Sequence, residues 1–218
     1  MSQTVEILHD LIGFASVSRD PNKALIDYVA ARLADVGVTA TIIPDESGAK
    51  ANLFASTGPN NCPPGKGGVM LSGHTDVVPI DGQNWTKPAF ECTSENGRLY
   101  GRGTADMKGF CAAAIASFTE ATHLPLKTPL HLALSYDEEI GCIGVRSMIE
   151  MMANAPFRPA MCIVGEPTEM GLGTGHKGKT AIRAHCHGRA GHSALAPLAV
   201  NALHLACDLA GEVRATQD

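Results

Sequence analysis

The sequence of 218 residues lacks several patterns that each define a class of protein. No apolar run approaches the ~18 residues that a membrane-spanning helix requires, so we expect no membrane segment. Lys and Arg number only 17 against 22 Asp and Glu and form no cluster, which argues against nucleic acids and anionic membranes as partners. The N-terminus has no basic patch before an apolar stretch, so we expect no secretory signal and a cytoplasmic location.

Motifs of several hydrolase and metal-binding classes are also missing. The seven cysteines are scattered and none forms a C-x-x-C pair, which excludes zinc ribbons and thioredoxin-like sites and is typical of reduced thiols. The sequence contains no G-x-S-x-G, so it has no serine-hydrolase nucleophile elbow. It contains no H-E-x-x-H either, which excludes a zincin helix.

Helical and apolar strand patterns alternate along the chain. Apolar residues at helical spacing predict two helices within the first 36 residues, and others from 106, over 144–152 and over 198–213. Short strands are predicted at 39–43, 51–56, 68–72, 130–135 and 161–164. The segment 161–164 is wholly apolar, which is typical of a strand covered on both faces of its sheet. Together these elements predict an α/β fold with a mixed β-sheet flanked by helices.

The pattern changes near Gly178. A further strand is predicted over 180–187 and a helix over 198–213, and one strand with one helix cannot close a core of its own. We therefore predict a first domain over 1–178 and the beginning of a smaller α/β domain over 179–218. We expect this second domain to be incomplete in this sequence.

Histidine and acidic residues follow the ends of several predicted elements. They are His74 and Asp76, then Asp106, then Glu138 and Glu139, and finally Glu166. Alone, each group has an ordinary interpretation as a polar turn, a helix cap or a solvated loop. However, three of the four groups follow strands of one predicted sheet, and open α/β sheets bind ligands at the carboxyl ends of their strands. One imidazole and several carboxylates converging there predict a divalent metal site that activates water.

Four motifs connect this pattern with a known family. They are G-H-x-D-V-V-P at 73–79, G-R-G-x-x-D-M-K-G at 101–109, D-E-E-x-G at 137–141 and G-E-P-T at 165–168. In this order they resemble the family of metallo-aminoacylases and metallopeptidases that includes acetylornithine deacetylase, succinyl-diaminopimelate desuccinylase and carboxypeptidase G. Within that family, the segments 52–55, 77–85 and 132–139 are most similar to the acetylornithine deacetylases.

The resemblance implies two divalent metal ions, with zinc preferred and cobalt as a possible substitute. His74 and Glu166 would bind the first ion and Glu139 the second. Asp106 would bridge both ions. Other family members supply one more histidine to the second ion from a segment after the lid domain, and no such segment occurs here.

The implied reaction is hydrolysis of the N-acyl amide bond of a small acylamino acid, with N-acetylornithine, an intermediate of arginine biosynthesis, as the expected substrate. Glu138 would be the general base that takes a proton from the attacking water, and Asp76 would orient His74. His192, in G-R-A-G-H-S, resembles the lid histidine that stabilises the oxyanion in this family. Desuccinylase, other acylamino-acid hydrolase and metallocarboxypeptidase activities remain open.

The resemblance also assigns the two regions of the chain. Residues 1–178 would belong to the metal-binding catalytic domain and residues 179–218 to the beginning of a lid domain that forms a homodimer. The missing histidine and the short lid lead us to expect an N-terminal fragment. A truncated, inactive metal-binding relic is the non-enzymatic alternative.

Two other patterns indicate different chemistry. Residues 173–180 fit G-x-x-x-x-G-K-[ST], the phosphate-binding loop of NTPases. That loop must open a helix, whereas a strand is predicted to follow here, so the NTPase interpretation is disfavoured. His185 and His187 would share one face of the strand, but no third metal ligand is evident beside them.

Overall fold

The computed structural model describes residues 2–59, 67–155, 158–175, 177, 178 and 180–216. The chain divides into two compact units, Met1–Gly171 and Leu172–Asp218. The first unit contains a five-stranded mixed sheet flanked by helices, which confirms the predicted fold class. In the described part of the chain, no helix combines the length and the apolar character needed to cross a membrane.

The elements of the first unit occur in the predicted order. The helices are α1 (Gln3–Gly13), α2 (Lys23–Asp35), α3 (Lys108–Ala121) and α4 (Arg146–Ala153). The strands are β1 (Thr41–Pro44), β2 (Ala51–Thr57), β3 (Val69–His74), β4 (Thr93–Glu95), β5 (Arg98–Tyr100), β6 (Leu130–Ser135) and β7 (Met161–Val164). Strands β4 and β5 form a separate hairpin that the sequence analysis missed. Its signal was the Asn96-Gly97 pair, whose φ angles of 51° and 73° are typical of an Asn-Gly hairpin turn.

The strand order of the main sheet brings three strand ends together. The order is β1-β2-β6-β3-β7, and both β6 and β7 run parallel to β3. Ser72 of β3 lies opposite Ala133 of β6 and Val164 of β7. Since parallel strands end at the same edge, the residues that follow β3, β6 and β7 share one edge of the sheet.

Apolar side chains pack on both faces of the sheet. Leu132 and Leu134 of β6 belong to the larger core, which helices α1, α2 and α3 complete. Ala133, between them, belongs to a smaller core with Met148 of α4. This alternation follows from the two-residue period of a strand. The parallel pairing of β3 with β6 fixes the register of their ends, where His74 lies opposite Ser135.

Strand β7 forms as predicted, but the expectation that it is covered on both faces is wrong. Its residues Met161, Ile163 and Val164 are 54%, 42% and 58% exposed. The strand lies at one edge of the sheet, where it pairs with β3 within the described residues. A short apolar run predicts that a strand forms, but does not reveal how many layers cover it.

The second unit contains a 3-10 helix (Ser193–Leu198), an isolated bridge between Arg189 and Val200, and helix α5 (Ala202–Ala215). The strand predicted over 180–187 is wrong, because these described residues form neither strand nor helix. A lone strand needs a partner for its backbone hydrogen bonds, and the described part of this unit offers only that single bridge.

Candidate metal centre

The imidazole of His74 lies at the centre of a cluster of carboxylates. Its Nε2 is 3.2 Å from Oδ1 of Asp106, 3.6 Å from Oε1 of Glu166 and 3.7 Å from Oε2 of Glu138. The ligand atoms of His74, Asp106 and Glu139 lie within 4.8 Å of one another, and so do those of His74, Glu138 and Glu166. The structure therefore brings together five side chains that the sequence analysis selected as metal ligands or base.

The sheet positions these side chains directly. His74 is the last residue of β3, the residues Glu138 and Glu139 follow β6, and Glu166 follows β7. Asp106 precedes α3. The N-cap residue of this helix is Met107, and no side chain caps the helix with a hydrogen bond from that position. The helix-cap interpretation of Asp106 therefore fails, since its carboxylate contacts His74 instead.

The other ring nitrogen of His74 fixes the orientation of the imidazole. Nδ1 lies 2.9 Å from the backbone oxygen of Asp76 and 3.5 Å from its carboxylate Oδ1. A carbonyl oxygen only accepts hydrogen bonds, so Nδ1 carries the hydrogen. In the neutral ring, this leaves the lone pair on Nε2, which faces the carboxylates.

The carboxylate of Asp76 has further partners in the acidic loop, which we define as residues 137–141. The backbone amides of Glu138 and Glu139 donate to Oδ1 and Oδ2 of Asp76 at 3.1 and 3.3 Å. The hydroxyl of Ser18 donates to Oδ2 at 2.7 Å. Asp76 therefore joins the strand end that carries the histidine to the loop that carries two of the acids.

Burial and hydrogen bonding act in opposite directions on the His74 and Asp76 pair. Burial lowers the pKa of His74, but the hydrogen bond and charge of Asp76 and the charge of Glu166 outweigh it and raise the pKa to about 9. Burial also disfavours the charged form of Asp76, yet the nearby His74 ring and hydrogen bonds from Ser18 and the Glu138 amide lower its pKa. Without a metal ion, both shifts therefore favour the charged forms, an imidazolium beside a carboxylate.

The remaining acids repel one another. Burial, together with the charge of Asp106, raises the pKa of Glu139 above its usual value. Burial and the charges of Asp106 and Glu138 likewise raise the pKa of Glu166. A divalent cation would relieve this repulsion, and one imidazole nitrogen with several carboxylate oxygens is a donor set that Zn²⁺ and Co²⁺ accept. The residues present therefore fit a metal.

Other predicted candidates lie in the second unit. His192 caps the 3-10 helix there, with its Nδ1 accepting a hydrogen bond from the Ala194 amide at 3.1 Å. His185 and His187 lie in the segment without regular structure, so the shared strand face that paired them is absent. In the phosphate-loop pattern, His176 and Lys179 lie outside the described residues, and no helix begins in the described residues 180–187 that follow.

The sequence analysis missed two residues that contact this site indirectly. They are Ser18, which donates to Asp76, and Lys50, which pairs with Asp137 in the acidic loop. Their partners are 58 and 87 positions away in the sequence. No local spacing pattern could have indicated these contacts, since only the folded sheet brings the segments together.

A mixed sheet here gathers a histidine and carboxylates at the ends of its parallel strands, an arrangement that suits a divalent metal ion. Residues 70–215 match the peptidase family M20/M25/M40, and the chain belongs to this family. The match confirms the predicted resemblance to the metallopeptidase and metallo-aminoacylase family.

Two similar relatives are both named acetylornithine deacetylase. The acetylornithine deacetylase of Klebsiella pneumoniae is 35% identical over 98% of this chain and 56% of its own length. That of Yersinia pseudotuberculosis is 37% identical over 92% of this chain and 53% of its own. The chain thus spans about half the length of these curated relatives. The M20 metallo-carboxypeptidase Sso-CP2 from Sulfolobus solfataricus has the same fold, with a TM-score of 0.65 at 23% identity over 76% of this chain and 37% of that one.

Proposed function

We propose that the protein hydrolyses the N-acyl amide bond of N-acetylornithine to release ornithine and acetate. The cluster of carboxylates around His74 supports the hydrolytic chemistry, because it gathers metal ligands and a base at one edge of the sheet. The choice of substrate is supported by relatives at 35% and 37% identity that are named acetylornithine deacetylases.

The residues of this chain would hold two divalent ions, with zinc preferred and cobalt as a substitute. His74 and Glu166 would bind the first ion, Glu139 the second, and Asp106 both. When bound, such a pair would polarise the acyl carbonyl and lower the pKa of a water molecule, which then more readily loses a proton and attacks the carbonyl carbon.

Glu138 is the proposed general base. Its Oε2 lies 3.7 Å from Nε2 of His74, within the cluster of candidate metal ligands. Glu138 takes the proton from that water and then passes it to the leaving amine. Asp76 holds the backbone amide of Glu138, which fixes the point from which the side chain extends. His192 is proposed to donate a hydrogen bond to the oxyanion.

The larger organisation is part of the same proposal. Residues 1–178 would form the metal-binding part of the catalytic domain, and residues 179–218 the beginning of a lid through which a cytoplasmic homodimer forms. The substrates would be small acylamino acids, and neither a nucleic acid nor a membrane would be a partner of the protein.

A panel of N-acyl substrates tests the proposal. The native protein, loaded with Zn²⁺, is assayed with N-acetylornithine, N-succinyl-diaminopimelate and an N-acyl dipeptide at equal concentration. The proposal predicts the highest kcat/KM for N-acetylornithine. A preference for the N-succinyl substrate would replace the deacetylase assignment by a desuccinylase, and turnover of none of them would contradict amide hydrolysis.

A further inference from the structure

An ion pair of low exposure holds the first residue of the acidic loop. Nζ of Lys50 lies 2.6 Å from Oδ1 of Asp137, and the two side chains are only 16% and 8% exposed. The same ammonium donates a hydrogen bond of 2.5 Å to the backbone oxygen of Ser18. One lysine therefore connects the loop after β6 with the segment between α1 and α2.

The backbone of Asp137 needs such support. Its φ angle is +56°, in the left-handed region that residues other than glycine rarely adopt. A residue in this region keeps its conformation only where its surroundings determine it. Asp137 immediately precedes Glu138 and Glu139, so its backbone angles set the direction in which both acids leave the strand.

Ser18 connects this ion pair to the metal centre. Its hydroxyl donates to the carboxylate of Asp76, while its backbone oxygen accepts from Lys50. Asp76 in turn accepts the amides of Glu138 and Glu139. The acidic loop is thus held at Asp137 by Lys50 and at the next two residues by Asp76, with Ser18 as the common link.

We propose that Lys50 is a positioning residue for the metal centre, which fixes the acidic loop by bridging the Asp137 carboxylate and the Ser18 carbonyl. Lys50 belongs to neither group of candidate metal ligands and is not the proposed base. The inference rests on the proposed roles of Glu138 and Glu139 as base and ligand. Lys50 would position Glu138 and Glu139 from outside the cluster of candidate ligands.

Hydrogen exchange of the metal-free chain tests this inference directly. In Lys50→Met, which removes the charge and keeps an unbranched side chain, the amides of Glu138 and Glu139 should exchange at least about tenfold faster than in the wild type. Lys23→Met is the matched control, because Lys23 pairs with Asp27 on the exposed surface of α2. The control should leave both exchange rates unchanged.

Metal binding provides the second readout. The affinity of Lys50→Met for Co²⁺, measured where circular dichroism shows the protein to be folded, should fall about 10–100-fold, as it does when other outer partners of metal ligands are removed. If Lys50→Met does not fold, the same measurements are made on Asp137→Asn. The amides of Glu138 and Glu139 should exchange faster in that variant as well. A loss of stability alone would lower the melting temperature without changing the affinity of the folded protein.

The outcomes separate this inference from the proposed function. The positioning role would be overturned if folded Lys50→Met or Asp137→Asn kept the exchange rates and the Co²⁺ affinity of the wild type. The deacetylase proposal would remain intact in that case. Failure of N-acetylornithine hydrolysis would leave the exchange result valid, because that experiment uses neither metal nor substrate.

Discussion

Oδ1 of Asp76 accepts a hydrogen bond of 3.1 Å from the backbone amide of Glu138. The acid next to the candidate metal ligand His74 therefore also holds the backbone of the proposed base, and the two halves of the site depend on one carboxylate. His74 itself donates from Nδ1 to the backbone oxygen of Asp76 rather than to the carboxylate, which lies farther away at 3.5 Å. This leaves the carboxylate oxygens to accept from the acidic loop and from Ser18.

Replacing the carboxylate of Asp76 by an amide should therefore weaken metal binding strongly. Asp76→Asn turns one acceptor oxygen into a donor that cannot accept from the loop amides or from Ser18. We expect the Co²⁺ affinity to fall about 10–100-fold. Asp81→Asn is the control, because Asp81 pairs with Arg19 on the surface and should leave the affinity unchanged. Equal affinities of the two variants would contradict the central role of Asp76.

Removing the proposed base should separate turnover from metal binding. Glu138→Gln keeps the shape of the side chain but cannot take a proton from water. In the native protein we expect kcat for N-acetylornithine to fall about 10²–10⁴-fold, while metal content measured by mass spectrometry stays that of the wild type. Loss of metal together with activity would show that Glu138 is a ligand instead.

Metal binding should release a proton at neutral pH. The pKa of His74 is raised to about 9, so its imidazole is protonated at pH 7, whereas a metal binds only the neutral ring. We therefore expect about one proton per bound ion from His74 at pH 7, and an apparent affinity that rises about tenfold from pH 7 to pH 8. Calorimetry in buffers of different ionisation enthalpy measures this number. Binding without proton release would mean that His74 is already neutral.

The packing of α3 against the sheet should dominate the stability of the first unit. Ile115 of α3 is fully buried in the larger core, whereas Ile149 of α4 is 53% exposed. Ile115→Ala should lower the free energy of unfolding by about 2–5 kcal/mol. The chemically identical change Ile149→Ala should alter it by less than about 0.5 kcal/mol. Urea unfolding of both variants checks the difference, and similar losses would contradict the core assignment.

The alternation of helices and apolar strands was enough to predict the mixed sheet and the edge at which its polar residues meet. His74 ends β3, and Glu138 and Glu166 come shortly after the ends of β6 and β7, so the three parallel strands place these residues near one another. The sequence therefore predicted that these side chains lie together, because the direction of the strands determines where their ends meet.

Contacts between distant segments were beyond local reasoning. The ion pair of Lys50 with Asp137 and the hydrogen bond of Ser18 to Asp76 depend on how loops from different parts of the chain meet. The exposure of β7 depends on its place at the edge of the sheet. Residues 180–187 form no strand, and among the described residues no strand lies beside them to pair with. Neither is encoded in the period of the residues themselves.

Equilibrium binding of Co²⁺, followed by its visible absorption, tests most directly whether the cluster around His74 is a metal centre. The wild-type chain should bind Co²⁺, and His74→Ala should bind it at least about tenfold more weakly. His123→Ala removes an exposed histidine after α3 and should behave as the wild type. Equal binding by His74→Ala and the wild type, or no binding by either, would contradict the metal centre.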